Sequence, residues 1–276
     1  MYQNTSQKGQ ILLIVVITMI VALTVGLTVA SRTVTQLRLS KQNEESQRAF
    51  NAAEAGIDKV LQQGGEITLQ EALGNNSNYE VTATSYEGSQ ILLNNGEEVD
   101  QDVGADVWLS TYPGFTDQIA TANLTIYWGG VDQSNCITVD PVRPGLEVAI
   151  LQGDIANPSF TKFLYDACSS RTLGALSGTS TGPFTVPGIP GETFLNRTTV
   201  PIGIANGIIM KVIPTFNSTK IAISAVDASG NPVALPSQGS IIESTGSSGE
   251  TVRKITYYQS YPQLPLEVFP YSIISQ

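Results

Sequence analysis

Residues 11–30 read ILLIVVITMIVALTVGLTVA, and these twenty positions hold no Asp, Glu, Lys or Arg. At ~1.5 Å of rise per helical residue, a run of this length spans the ~30 Å hydrocarbon core of a bilayer. Thr18, Thr24 and Thr28 fit such a helix because their hydroxyls can bond back to carbonyls one turn earlier. On the N-terminal side lie nine polar residues with one charge, Lys8. On the C-terminal side the helical pattern continues. No Pro occurs before Pro113, and no Gly occurs between Gly26 and Gly56. Val34, Leu37, Phe50, Ala53, Ile57 and Val60 recur at three- and four-residue steps, interrupted by the polar stretch 41–47. This predicts one helix over 10–63, ended by Gly64-Gly65 as C-terminal glycines end helices. A cleaved secretory signal has a shorter apolar core and stops at a small-residue site, so it fits less well.

Orientation is read from two opposed signals. Arg32, Arg38, Lys41 and Arg48 follow the span, offset by Glu44 and Glu45, and the positive-inside rule would leave that side in the cytoplasm. The bulk of the chain is polar, carries two cysteines and has only 14% charged residues, which points outside. We take the second signal: a single-pass membrane protein with an extracytoplasmic head.

The net charge of −10 over 276 residues disfavours nucleic acid, whose phosphates an acidic surface repels. The chain has no His, which removes the commonest general base and metal ligand. There is no Ser/His arrangement, no Walker-type loop and no GxGxxG fingerprint. Asp100, Asp102 and Asp106 are closely spaced but lack the EF-hand pattern, and read as sheet-rim acids. We expect no enzyme, no metal and no cofactor. Cys136 and Cys168 cannot make a zinc site alone. In an oxidising compartment they can form one disulfide; otherwise they are two separate buried thiols.

After Gly65 the pattern changes to short segments rich in Val, Ile, Thr and Tyr with Gly, Pro and Asn between them. Candidate strands are 79–86 (YEVTATSY), 105–111, 122–128, 146–152, 208–214, 220–227, 250–259 and 266–274. Residues 241–258 read as strand, Gly/Ser turn, strand, and form a candidate sheet-edge hairpin. Residues 173–192 are rich in Gly, Pro, Ser and Thr and are expected to be irregular. The fold class is therefore α+β: a long N-terminal helix, transmembrane in one half and amphipathic in the other, then a β-rich, sandwich-like head over 66–276.

A short polar leader ending in Lys8-Gly9, an apolar run and an amphipathic extension together resemble the class III signal of type IV pilins. Residues 48–57, RAFNAAEAGI, are similar to the AF-x-AAEAGI signature of PilX-type minor pilins. The resemblance covers about the first 60 residues. It implies a leader (1–9) cut after Gly9 by prepilin peptidase, with Gln10 as the methylated mature N-terminus. It also implies helix packing through Phe50, Ala53, Glu54 and Gly56. Two departures matter. Gln10 stands where major pilins carry Phe or Met, and Ile14 stands where they carry a Glu thought to pair with a neighbour's terminal amine. A carboxylate in lipid is costly unless paired, so its absence changes assembly energetics. PilX-like proteins and tip pseudopilins often lack it, so the resemblance implies a minor or tip subunit, with a major pilin of an unusual lineage as the alternative.

The expected function is a structural subunit of a type IV pilus or a related pseudopilus. Its partners would be other pilin subunits, prepilin peptidase, the inner-membrane assembly machinery and the membrane itself. The alternative is an uncleaved single-pass surface protein with an adhesin-like, ligand-binding head.

Overall fold

The computed structural model describes residues 8–137, 142–169, 171, 178–200 and 203–264. Helix α1 runs unbroken over Lys8–Gln63, 56 residues or about 84 Å at the helical rise. It stops where expected. Gly64 takes φ +68° and donates its N–H to the Val60 carbonyl at 2.8 Å, a left-handed cap that L side chains adopt reluctantly.

Everything described after α1 is β-rich. The strands are β1 (Ile67–Leu73), β2 (Ser77–Ser85), β3 (Gln90–Leu92), β4 (Ala105–Trp108), β5 (Ile119–Trp128), β6 (Gly145–Asp154) and β7 (Asn157–Tyr165). They continue with β8 (Ser180–Val186), β9 (Ile189–Thr199), β10 (Ile204–Thr215), β11 (Ile221–Val226), β12 (Gly239–Ser248) and β13 (Thr251–Ser260). One sheet has the order β1-β2-β12-β13. The other has the order β3-β11-β5-β10-β6-β7, with β4 added on β10, β9 on β5 and β8 on β9. The architecture is thus α+β, one long helix followed by a sandwich-like head of antiparallel sheets.

The chain divides into two compact units, Met1–Thr82 with Glu243–Thr256, and Ala83–Ile242 with Tyr257–Gln276. The first holds α1 and most of the four-stranded sheet. The second is built around β10, whose side chains alternate between two apolar clusters. Met210 and Val212 join Leu124, Ile126, Trp128 and Val148 on one face. Ile209 joins Trp108 and Ala149 on the other. With both faces covered, the strand reads as the near-continuous apolar run IIMKVI.

Two expectations change. Within the stretch 173–192 expected to be irregular, residues 180–192 belong instead to the hairpin β8–β9; residues 173–177 lie outside the described set, as does the expected strand 266–274. Gly182 and Pro183 are accommodated at a register shift between Thr181 and Phe184, where a bulge spares the ladder a missing donor. Asp106 is not a rim acid. Its side chain is 3% exposed and lies 2.7 Å from the Nζ of Lys211, itself 2% exposed. The two are direct cross-strand partners on β4 and β10, beside the pair Trp108–Ile209.

Candidate functional site

The first half of α1 is what its composition dictates. Residues 12–43 are exposed around the whole helix, large apolar side chains included, with Leu12 at 71% and Leu27 at 63%. The threonines do not leave polar groups open. Thr18 donates to the Val15 carbonyl at 2.9 Å, Thr24 to Val21 at 2.9 Å and Thr28 to Thr24 at 2.7 Å. Over residues 12–30 that surface is costly in water, because each CH2 removed from water is worth ~0.8 kcal/mol of transfer free energy. Among the described residues, this is the one helix long and apolar enough to cross a membrane. Gly9 and Gln10 fall in its first turn.

The second half is packed, and the packing surface is made of small residues. Ala49, Ala52, Ala53, Gly56, Ile57 and Val60 are buried, at spacings of three, one, three, one and three. That is a single stripe on a 3.6-residue helix. It lies on β12. A Cβ placed on Gly246 would fall on the Ala49 carbonyl oxygen and the Ala53 amide, so helix backbone and strand backbone meet there without a side chain between them. One turn on, a Cβ on Gly56 would overlap Ser244 Oγ and the ring of Tyr79. Tyr79 is 3% exposed, and its hydroxyl donates to Glu71 Oε2 at 2.6 Å. That bond, then burial, pushes its pKa up to about 12.

Charged and polar groups frame this seam. Arg48 pairs with Glu44, and Lys41 lies 3.5 Å from Glu45, both one helical turn apart. Arg253 on β13 reaches Ser46 Oγ with Nε at 3.0 Å and Nη2 at 2.7 Å. A Cβ on Gly249, in the β12–β13 turn at φ +58°, would run into the carboxylate of Glu45.

Of the residues singled out in the sequence, Ala53 and Gly56 meet the strand, while Glu54 is exposed and Phe50 is 45% exposed on another side of the helix. Val34 and Leu37 are likewise exposed. The small residues from Ala49 to Gly56 read as a close-packing helix face in the sequence; what sequence reasoning missed is the strand that meets them, through Ser244 and Gly246.

In the second unit, Cys136 and Cys168 form a disulfide with Cα atoms 5.4 Å apart. Beside it, Arg171 pairs with Asp166 at 3.1 Å, donates to the Arg143 carbonyl at 2.7 Å and stacks 4.2 Å over the Phe216 ring. Asp100, Asp102 and Asp106 do not converge, and among the described residues no cluster of carboxylates or thiols could hold a metal ion. Comparison with family models, with curated proteins and with solved structures returned no match.

Proposed function

We propose that this protein is a structural subunit of a type IV pilus or pseudopilus, of minor or tip type. After cleavage following Gly9, the subunit is held in the membrane by residues 11–30 and then enters a filament through α1. The observation that carries this reading is the division of labour along one unbroken helix. Its first half carries the apolar run 12–30, whose side chains are exposed on every side and have no contact partner in the chain's own fold. Its second half is fixed to its own sheet through Ala49, Ala53 and Gly56. A helix that only anchored a head would need about 20 apolar residues and no rigid extension. Here the anchor and the helix under the four-stranded sheet are one unbroken rod, which couples that sheet to whatever packs around the apolar half.

Phe50 and Glu54 are assigned to contacts between subunits, since both are exposed beside the packed stripe. The interaction is helix packing with no chemistry of its own, so the protein acts on no substrate in this reading. Cell fractionation tests it. Surface filaments sheared from cells should contain the protein, and should lose it when Val21 is replaced by Lys, because a charge at the bilayer centre costs about 2.5–3.5 kcal/mol on insertion scales. Retention of all the protein in the membrane pellet, with none in sheared filaments, would overturn the assignment.

A further inference from the structure

The second unit contains a cavity of about 150 Å3 whose lining includes Tyr86, Trp108, Tyr258 and Tyr261. Two perpendicular ring pairs line it. Tyr86 and Tyr258 stand 5.2 Å apart at 87°, and Trp108 and Tyr261 stand 6.1 Å apart at 89°. Their polar tips are already used. The Tyr86 hydroxyl donates to the Leu92 carbonyl at 3.0 Å and accepts the Leu92 N–H at 2.9 Å. The Tyr261 hydroxyl donates to Ser237 Oγ at 3.1 Å. The carboxamide of Gln238, also in the lining, is spent on the Trp108 backbone, accepting from its N–H and donating to its carbonyl at 2.8 Å each.

Tyr86, Tyr258 and Tyr261 are each partly exposed, whereas Trp108 is buried against Tyr112 and Phe115 and backs the cavity. Glu98 and Asp100 are exposed acids of the lining, and no Lys or Arg is among the lining residues. A third carboxylate, Asp106, is neutralised from behind by Lys211 at 2.7 Å. Ring faces attract a cation through their quadrupole, by roughly 0.5–2 kcal/mol per contact as desolvation increases. The exposed acids Glu98 and Asp100 add long-range attraction, and the chain as a whole carries −10. A metal ion does not fit, since it needs converging oxygen ligands, and among the described residues no such group exists.

We propose that this cavity binds a small organic cation of the alkylammonium class, its ammonium head against the partly exposed rings of Tyr86, Tyr258 and Tyr261 and balanced by Glu98 and Asp100. The site is independent of the helix and of the filament reading.

Choline and 3,3-dimethylbutan-1-ol, which puts carbon in place of the charged nitrogen at equal shape, separate charge from fit. Both are titrated into the full-length protein in detergent by calorimetry, with saturation-transfer NMR as a second readout. Choline should bind saturably, and the neutral isostere should bind at least about tenfold more weakly, the ratio that ~1.4 kcal/mol of cation–π attraction corresponds to. Tyr258→Phe keeps the ring and should bind as the parent does, whereas Tyr258→Ala should lose binding by a similar factor. Glu98→Gln with Asp100→Asn should weaken binding severalfold and flatten its salt dependence. No saturable choline binding, equal binding of the two probes, or tighter binding of glucose than of choline would each overturn the proposal.

Discussion

Gly56 shows how two residue-level rules compete. In an isolated helix, Gly→Ala gains about 1 kcal/mol of propensity. Here the added methyl meets Ser244 Oγ and the Tyr79 ring, and overpacking a closed site typically costs 1–3 kcal/mol. Sterics win. Gly56→Ala should lower the thermal midpoint, and Gly246→Ala should lower it more, since its methyl meets helix backbone that cannot rotate away. Thermal unfolding by circular dichroism checks both, and a raised midpoint for either would contradict the packed seam. Asp106 poses a different residue-scale question. Asp106→Ala removes the carboxylate facing a buried ammonium, and should cost on the order of 3–5 kcal/mol in chemical denaturation. Replacing Asp106 and Lys211 together by apolar residues of similar volume should cost much less, because the desolvation of both charges is then avoided.

Among the elements, α1 was legible because several signals agree: a charge-free run, no internal Pro, and a Gly-Gly stop. β12 was legible as a strand but not as the helix's seat. Its small residues, GSIIESTGSS, read as a turn-rich edge, and only the fold shows that Gly246 is small because a helix backbone lies on it. β8 was hidden by Gly182-Pro183, which composition assigns to a loop and which the fold places in a bulge. β1, ITLQEAL, was hidden by residues of good helix propensity on a largely exposed strand. Two predictions belong here. The Cys136–Cys168 bridge closes 32 residues, so reduction should cost about 3.7 kcal/mol in the chain-entropy model, read as a fall in thermal midpoint with reductant. The second concerns β2. The Tyr79 hydroxyl is raised from its ordinary 10.0 to about 12 by Glu71, and Tyr165, in the second unit, to about 12 by burial. A pKa raised on folding contributes stability that is whole below the unfolded value and is lost as pH climbs from 10.0 through about 12. Denaturation midpoints should therefore fall across that window, and Tyr79→Phe should remove part of the fall.

For the whole molecule, the physical logic is that one rod serves two environments. Residues 12–30 expose apolar side chains long enough in extent to cross a membrane, and residues from Ala49 to Val60 find their partners in the chain's own β12. Composition made the division into helix and β-rich head legible, because it depends on averages over tens of residues. The candidate packing site was less legible, because it depends on which small residue meets which backbone. The filament reading joins the scales: it gives the exposed apolar half a destination, and gives the stiff coupling to the sheet a purpose. Its first chemical step is removal of residues 1–9, and that step is directly measurable. Intact mass and N-terminal peptide analysis should be made on the protein from membranes, with and without an active prepilin peptidase. A mature chain beginning at Gln10, methylated at its amine and seen only with the active peptidase, is the expected result. A chain that keeps Met1–Gly9 in the presence of the active peptidase would contradict the pilin reading and leave a single-pass surface protein with a binding head.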